Sequence, residues 1–267
     1  MIIKFLIGIV IAYLALVVLT YFMQRSMMYY PTRHIAAKPE NMQSVQLTTN
    51  DNLQLNAWYH PAKIGMPTLI YFHGNAGNFS SRYALVETYI EKGYGVLLAS
   101  YRGYAGNPGH PHEKGLYKDA DAALNFLTQN NISNKCIILF GESLGAAVAI
   151  HLANEHQVAG LILQSAFTSM TAVGQLHYPI LPIKWLLKDR YNSQASIKNI
   201  HVPLLFLQGE NDKIVPATFS KQLFASANEP KKIQLYANVG HNDIVSQQLQ
   251  NDVLTFLNQF KSCQGNS

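Results

Sequence analysis

Ser143 lies at the centre of a Gly-x-Ser-x-Gly pattern that spans residues 141–145. An apolar run rich in β-branched residues, 137–140, precedes the pattern, and an alanine-rich segment through Ala153 follows it. A strand, a sharp turn and a helix in this order form the context that a nucleophile elbow requires. The two glycines leave room where the strand and helix backbones pass close together. The pattern therefore predicts that Ser143 is a nucleophile.

A nucleophilic serine needs a base to accept its proton, and the base needs an acid to hold its ring in the correct tautomer. His241 follows a strand-like run and a glycine-containing turn, and we predict that it is the base. Asp212 follows the apolar run 204–207, at the sheet edge where catalytic groups gather, and we predict that it is the acid. Three other acids are less well placed: Glu210 as a minor rival, Asp189 in a predicted lid, and Asp243 as a predicted helix cap.

The loop at residues 73–78 is the candidate oxyanion site. It has the sequence His-Gly-Asn-Ala-Gly-Asn and follows a predicted buried strand. Its glycines allow the backbone to turn an amide toward a substrate carbonyl. We predict that the backbone N–H groups of Asn75 and Leu144 stabilise the oxyanion, and that His73 braces the loop.

The predicted strands change character along the chain. Residues 44–49 and 53–59 alternate apolar and polar positions around Asn-Asp-Asn, which is typical of an antiparallel hairpin. The later apolar runs alternate with helical segments, as in a parallel sheet covered on both faces; they are residues 69–72, 96–99, 137–140, 161–163 and 204–207. The sequence therefore predicts an α/β fold with a mostly parallel central sheet and helices on both faces.

Residues 168–201 interrupt this alternation. An insertion of this length after a strand is usually functional, and we interpret it as a lid. An equally good alternative is a structural insertion without a lid function, whose apolar residues pack on the body of the domain. If the segment is a lid, we expect Tyr178, Trp185 and Leu186 to contact the substrate.

The N-terminal segment is predicted to anchor the protein in a membrane. Residues 5–23 carry no charge and extend about 28 Å at helical rise, close to the thickness of a bilayer core. The alternative is a cleaved signal peptide, but the apolar run is too long and no small-x-small site follows it. We predict an anchor at 1–24, a linker at 25–42, a catalytic domain at 43–261 and a frayed tail at 262–267. Basic residues lie on both sides of the anchor, so the sequence does not determine on which side of the membrane the catalytic domain lies.

Composition excludes other classes of function. The 267 residues are 48% hydrophobic, enough for one α/β domain with a sizeable core and an appendage. A net charge of +5 with 13% charged residues and no basic block does not indicate nucleic-acid binding. His110 and His112 lack cysteine or acidic neighbours at metal-ligand spacing, so we expect no metal, and we expect no cofactor. Cys136 and Cys263 are not expected to pair.

Several motifs together resemble the bud-emergence (Bem-type) branch of the α/β-hydrolase superfamily. The resemblance covers about residues 25–260 and depends on the motifs at 73–78, 101–104, 115–120, 141–145, 165–169 and 209–216. It implies an N-terminally anchored serine hydrolase with Ser143 as nucleophile, Asp212 as acid and His241 as base. Related animal α/β-hydrolase domain proteins remove palmitoyl groups from protein thioesters.

We therefore expect a membrane-anchored serine hydrolase that cleaves carboxylic esters or thioesters and accepts lipid-like acyl substrates. A serine at the turn argues against the dehalogenase and epoxide-hydrolase members of the superfamily, which use an aspartate there. Two alternatives stay open. One is a serine peptidase or amidase of the same fold, and the other is a non-catalytic membrane-bound scaffold.

Overall fold

The computed structural model, which describes residues 1–263, has an eight-stranded sheet at its centre and a separate two-stranded sheet. The strands are β1 (Tyr30–Pro31), β2 (Gln43–Thr48), β3 (Gln54–His60), β4 (Thr68–Phe72), β5 (Ala76–Gly77), β6 (Gly95–Ala99), β7 (Ile137–Glu142), β8 (Gly160–Gln164), β9 (Leu204–Gly209) and β10 (Lys231–Tyr236). The helices are α1 (Ile2–Met28), α2 (Tyr83–Glu91), α3 (Glu113–Gln129), α4 (Leu144–Glu155), α5 (Met170–His177), α6 (Ile183–Leu186), α7 (Ser193–Ser196), α8 (Ala217–Ser226) and α9 (Gln247–Leu257).

The large sheet is parallel except at one edge. Its strand order is β10-β9-β8-β7-β4-β6-β3-β2, and the strands from β10 to β6 run parallel. The β2–β3 hairpin continues the sheet antiparallel to β6. Strands β4, β6, β8 and β9 are buried along their whole length, because helices cover both faces. The predicted fold class, with its antiparallel hairpin at the edge, is confirmed.

Two hydrophobic clusters attach the helices to the faces of this sheet. On one face, α3 and α4 pack through small and aliphatic side chains such as Leu116, Ala120 and Val148. On the other face, α2 and α9 pack through side chains that include Val86 and Val253. The apolar positions of α3 and α9 recur at helical spacing, so each helix presents one apolar stripe to the sheet.

Helix α1 extends beyond the predicted anchor. It is long and apolar enough, by length and composition, to be a candidate membrane span. It ends at Met28, inside the predicted linker, because its last turn is held by the insertion after β8. Arg25 Nε and Nη2 donate to the two carboxylate oxygens of Asp189, at 2.9 and 3.1 Å. The bidentate geometry fixes the rotation of the helix end as well as its position.

The segment after α1 binds the loop that follows β4. Tyr30 and Pro31 of β1 pair in parallel with Ala76 and Gly77 of β5. The side-chain amide of Asn78 donates to the carbonyl oxygens of residues 32 and 34. The chain that leaves the candidate membrane helix is therefore built into the predicted oxyanion loop.

The end of the described chain packs against the sheet edge opposite the elbow. The amides of Ser262 and Cys263 both donate to the carbonyl oxygen of Gly65, at 2.9 and 3.0 Å. The first two residues of the predicted frayed tail are therefore hydrogen-bonded to the domain. Burial and a hydrogen bond with the Cys136 thiol raise the pKa of Cys263 to about 12. Cys263 lies close to Cys136, because Gly65 precedes β4 and Cys136 precedes β7, its neighbour in the sheet. The rest of the predicted tail, 264–267, lies outside the described residues.

Candidate active site

The turn between β7 and α4 is a strained elbow. Ser143 has φ 51° and ψ −110°, a conformation that is costly for a residue with a Cβ atom and that is often found at functional sites. A Cβ atom at Gly145 would collide with the carbonyl oxygen of Phe72, and one at Gly141 would collide with the carbonyl oxygen of Gly145. Both flanking glycines are therefore required by the close approach of β7, β4 and α4.

The structure brings Ser143, His241 and Asp212 together. His241 Nε2 lies 3.2 Å from Ser143 Oγ, and His241 Nδ1 lies 2.6 Å from Asp212 Oδ2. The residues come from the turns that follow β7, β10 and β9, which end at the same edge of the parallel sheet. In this arrangement the imidazole can accept a proton from the hydroxyl while its other nitrogen donates to the carboxylate.

Asp212 is held as a carboxylate by the donors around it. Burial by itself would raise the pKa of Asp212, but hydrogen bonds from His241 and from two backbone amides bring the pKa below its usual value. The amides are those of Ile214 and Val215, which donate to Oδ1 at 2.9 and 2.7 Å. Because Oδ1 is occupied by these donors, Oδ2 faces the imidazole. An ionised Asp212 therefore favours the tautomer with a proton on Nδ1.

Gln208 supports Asp212 and was missed at the level of sequence. It is fully buried in β9, and its Nε2 donates to Asp212 Oδ2 at 3.2 Å. Its own Oε1 accepts a hydrogen bond from Ser220 Oγ at 2.6 Å, which fixes the amide orientation. The available signal was a polar side chain that continues an otherwise apolar strand. Such a residue needs partners inside the fold.

The rival acids have other roles. Asp189 forms a salt bridge with Arg25, and Glu210 is exposed at the end of β9. Asp243 does not cap a helix, because α9 begins at Gln247 with Ser246 as its cap. Instead, Asp243 Oδ1 accepts a hydrogen bond from the Gly240 amide at 2.9 Å and braces the loop that carries His241.

Asn75 and Leu144 line the same cavity as Ser143. Within residues 1–263, neither backbone N–H donates to a protein acceptor, so both are available to a substrate oxygen. The Asn75 side chain holds its loop in place. Its Oδ1 accepts from the Tyr104 hydroxyl at 2.9 Å, and its Nδ2 donates to the carbonyl oxygen of Met28.

An ion pair beside the elbow was also missed. Arg82 Nε and Nη2 donate to the carboxylate of Glu142, at 2.7 and 2.9 Å, and the Tyr71 hydroxyl donates to the same group at 3.0 Å. Burial alone would raise the pKa of Glu142, but Arg82 lowers it below its ordinary value. Arg82 Nη2 also donates to the carbonyl oxygen of Ala76 at 3.3 Å, so Arg82 connects the turn that carries Ser143 to the predicted oxyanion loop.

We predict that Arg82→Leu destabilises the protein by about 3 kcal/mol, because Glu142 would remain largely buried without its partner. Denaturant unfolding in detergent micelles measures this loss. The double variant with Glu142→Gln as well removes both charges and should recover part of the stability. Equal stability of Arg82→Leu and the unmodified protein would contradict the prediction.

His73 braces its loop. It is fully buried against Tyr101, with ring centroids 4.5 Å apart, and its Nδ1 lies 2.7 Å from the carbonyl oxygen of Gly74. Nδ1 therefore carries a proton and donates it to that oxygen. Burial lowers the pKa of His73 to about 4, so the ring is neutral near pH 7.

The buried His73 makes stability depend on pH. The pKa is about 4 in the folded protein and about 6.5 in the unfolded chain, so between these values the unfolded state binds more protons. We predict that His73 alone costs about 2 kcal/mol of unfolding free energy as the pH falls from 7 to 5. Denaturant unfolding at the two pH values tests this. His73→Asn retains a donor for Gly74 without the titration, and equal pH dependence in both proteins would contradict the assignment.

A cavity of about 640 Å³ opens above Ser143 and His241. Its walls are mainly apolar, from the segment after β8 and from the loop after β9, and include Phe167, Met170, Val173, Leu181, Ile183, Leu187, Ile214 and Val215. This volume is within the range of small-molecule sites. Across residues 1–263, no group of three metal-ligating side chains converges, in this cavity or elsewhere.

Only one of the three lid residues expected to contact substrate lines this cavity. Tyr178 is on its wall, whereas Trp185 is 79% exposed and points away. The reason is the rotation of α6, whose positions Ile183 and Leu187 share the inward face and leave Trp185 on the opposite one. Leu186 packs beside this face, outside the cavity lining. The expectation for Trp185 and Leu186 therefore does not fit their placement.

Helix α1 supplies a wall of the cavity that was not predicted. Thr20, Gln24, Met27 and Met28 line it. The available signal was the pair of polar residues, Thr20 and Gln24, one helical turn apart in an otherwise apolar segment.

Comparisons with known proteins agree with this fold. The profile of the α/β-hydrolase fold family matches residues 67–196. A protein of Mycobacterium tuberculosis is 43% identical over 227 residues, covering 82% of this chain and 81% of its own. Protein bem46 of Schizosaccharomyces pombe is 34% identical over 210 residues, covering 74% of this chain and 70% of its own. An esterase of Pyrococcus furiosus has a similar structure, with a TM-score of 0.70 at 20% identity, over 87% of this chain and 97% of its own.

The elbow, the parallel sheet and these similarities define the class of protein. The chain belongs to the α/β-hydrolase family. Its similarity to bem46 confirms the resemblance to the bud-emergence branch.

Proposed function

We propose that the protein is a membrane-anchored serine hydrolase that cleaves carboxylic esters or thioesters of lipid-like acyl chains. The observation that carries this proposal is the hydrogen-bonded series Ser143, His241 and Asp212 at the base of an apolar cavity. A serine with a base at 3.2 Å, and an acid that orients the base, is the arrangement that covalent acyl transfer requires.

In the first half-reaction, His241 Nε2 takes the proton from Ser143 Oγ as the oxygen attacks the carbonyl carbon. The amides of Asn75 and Leu144 stabilise the oxyanion of the tetrahedral intermediate; loss of one such donor typically costs about 10²–10³ in kcat. When the intermediate collapses, His241 returns the proton to the leaving alcohol or thiol. The acyl group stays on Ser143.

In the second half-reaction, water attacks the acyl-enzyme. His241 Nε2 accepts a proton from the water, and the same two amides stabilise the new oxyanion. Collapse breaks the bond between the acyl carbon and Ser143 Oγ, and the proton on His241 returns to the serine. The product is a carboxylic acid, and the resting site is restored.

The cavity supports an acyl chain in the substrate. The apolar part of its lining consists mainly of aliphatic and methionine side chains, which bury methylene groups favourably at about 0.8 kcal/mol each. Methionines such as Met27 and Met170 adapt to chains of different shape.

The contacts of α1 support a retained anchor rather than a cleaved leader. Gln24 is 6% exposed, and its side-chain amide bonds to the backbone of the lid at Leu186 and Lys188. Removal of the helix would leave these polar groups without their partner and would open one wall of the cavity.

Activity-based labelling of the full-length protein in detergent tests the proposal. We expect a fluorophosphonate probe to label the protein, and we expect turnover of acyl esters and thioesters to rise with chain length. An amide series of matched acyl groups tests a peptidase or amidase, and faster amide cleavage would replace the esterase assignment. Absence of both labelling and turnover would favour a non-catalytic scaffold.

A further inference from the structure

One face of α1 packs along the lid. Tyr13 Oη donates to the carbonyl oxygen of Ile180 at 2.9 Å, and Gln24 Oε1 accepts from the Lys188 amide at 2.7 Å. Between them, Val17 packs on the apolar lid cluster. Tyr13 and Gln24 are about 16 Å apart along a helix, which is about the thickness of the hydrocarbon in one bilayer leaflet.

The lid also has an apolar face that no residue in the described range 1–263 covers. This face, the outer lid face, consists of Leu176, Tyr178, Ile180 and Trp185, whose exposed fractions are 48%, 43%, 70% and 79%. These are large apolar side chains grouped on one short segment, and such a patch marks an interaction site more often than isolated exposed residues do. Ile180 is also the residue whose carbonyl binds Tyr13, so the face continues the apolar surface of α1.

Basic and aromatic side chains border this surface near the end of α1. Lys188 Nζ lies 4.0 Å from the centroid of the Tyr21 ring, and Arg25 pairs with Asp189. Tyrosine, lysine and arginine are the residues that hold a protein at the headgroup level of a membrane. An apolar face bordered by such residues is typical of segments that lie in the membrane interface.

We propose that the outer lid face is buried in the same bilayer leaflet as α1, and that acyl substrates enter the cavity from that leaflet between α1 and the lid. The two sides of this entrance are Thr20 and Met27 of α1 and Val173 and Tyr178 of the lid, all of which line the cavity. The occupant of the face is therefore the acyl region of membrane phospholipids. The burial of the face stands apart from catalysis, whereas the entry route rests on the proposed function.

Tryptophan fluorescence tests the burial of the face. The chain has two tryptophans, and Trp58 is buried in the core whereas Trp185 is on the outer lid face. Full-length protein is reconstituted in phosphatidylcholine vesicles, with or without acyl chains brominated near the headgroup. The contribution of Trp185 is the difference between the unmodified protein and Trp185→Phe. We expect bromine to quench at least about half of this contribution and to leave Trp58 unchanged. An unquenched Trp185 would overturn the proposal.

A charged substitution tests the entry route. Ile180→Glu places a carboxylate on the outer lid face but outside the cavity lining, and a charge in lipid is costly. For a long-chain ester carried in vesicles, we expect turnover to fall by about tenfold or more. Turnover of a water-soluble short-chain ester and fluorophosphonate labelling should not change. Ile64→Glu is the matched control, because Ile64 is fully exposed before β4, at the opposite sheet edge.

The outcomes separate the two proposals. Equal losses on the vesicle-borne and the soluble ester in Ile180→Glu, or equal losses in Ile64→Glu, would overturn entry through the leaflet. Failure of the proposed function would have another signature, because the unmodified protein would then neither label nor hydrolyse the soluble ester, whatever the quenching of Trp185.

Discussion

Ser143→Ala is expected to lower kcat for a soluble acyl ester by at least about 10⁴-fold and to abolish fluorophosphonate labelling. The physical reason is that the hydroxyl is the group that becomes acylated, and its Oγ lies 3.2 Å from His241 Nε2, the base that would take its proton. Stopped-time assays of purified full-length protein and in-gel detection of the probe measure the two effects.

Ser44→Ala is a suitable control, because Ser44 is an exposed serine on the edge strand β2, outside the cavity lining. We expect this variant to retain both labelling and turnover. The strain at position 143 persists with alanine, so thermal unfolding of Ser143→Ala should match that of the unmodified protein. Labelling that survives in Ser143→Ala would remove this residue from the mechanism.

Asp212→Asn is expected to lower kcat by about 10⁴-fold and, because the new NH₂ group would face the Gln208 amide donor, to lower the stability by about 1–3 kcal/mol as well. The side-chain oxygen of asparagine must accept the amides of Ile214 and Val215, so its NH₂ group would face His241. The imidazole would then accept a hydrogen bond from this NH₂ group at Nδ1 and would carry its own proton on Nε2. A protonated Nε2 cannot accept the proton of Ser143, so the nucleophile would not be activated.

The matched control for Asp212→Asn is Glu210→Gln, which removes a carboxylate from the same loop at an exposed position. We expect its kcat to stay within about twofold of the unmodified protein, because surface substitutions of this kind have small effects. If both variants lost activity equally, or if Asp212→Asn kept full activity, Asp212 would not be the residue that orients the base.

The elements that could be predicted from the sequence are those set by local demands. A parallel strand buried on both faces must be apolar throughout, and the glycines at 141 and 145 mark where backbones come close. The catalytic candidates follow because Asp212 and His241 come directly after strand-like runs. Parallel strands bring their carboxyl ends to one edge, so the sequence order was enough to place three distant residues together.

The elements that could not be predicted depend on pairing between distant side chains. Nothing near Glu142 indicates that its partner is Arg82. The four-residue helix α6 is too short for its apolar pattern to fix which face turns inward, so the sequence did not show that Trp185 points away from the cavity. Helix α1 is apolar around most of its circumference, so apart from Thr20 and Gln24 near its end the pattern does not reveal the face that packs on the predicted lid.

The pairing of β1 with β5 has a consequence for attempts to make a soluble form of this protein. A truncation usually assumes that an N-terminal anchor can be removed without affecting the catalytic domain. Here a cut after residue 42 would also remove the strand that holds Ala76 and Gly77, next to Asn75. A soluble form made in this way would lose the pairing that shapes the predicted oxyanion loop, whereas an anchor exchange that keeps residues 29–42 would preserve it.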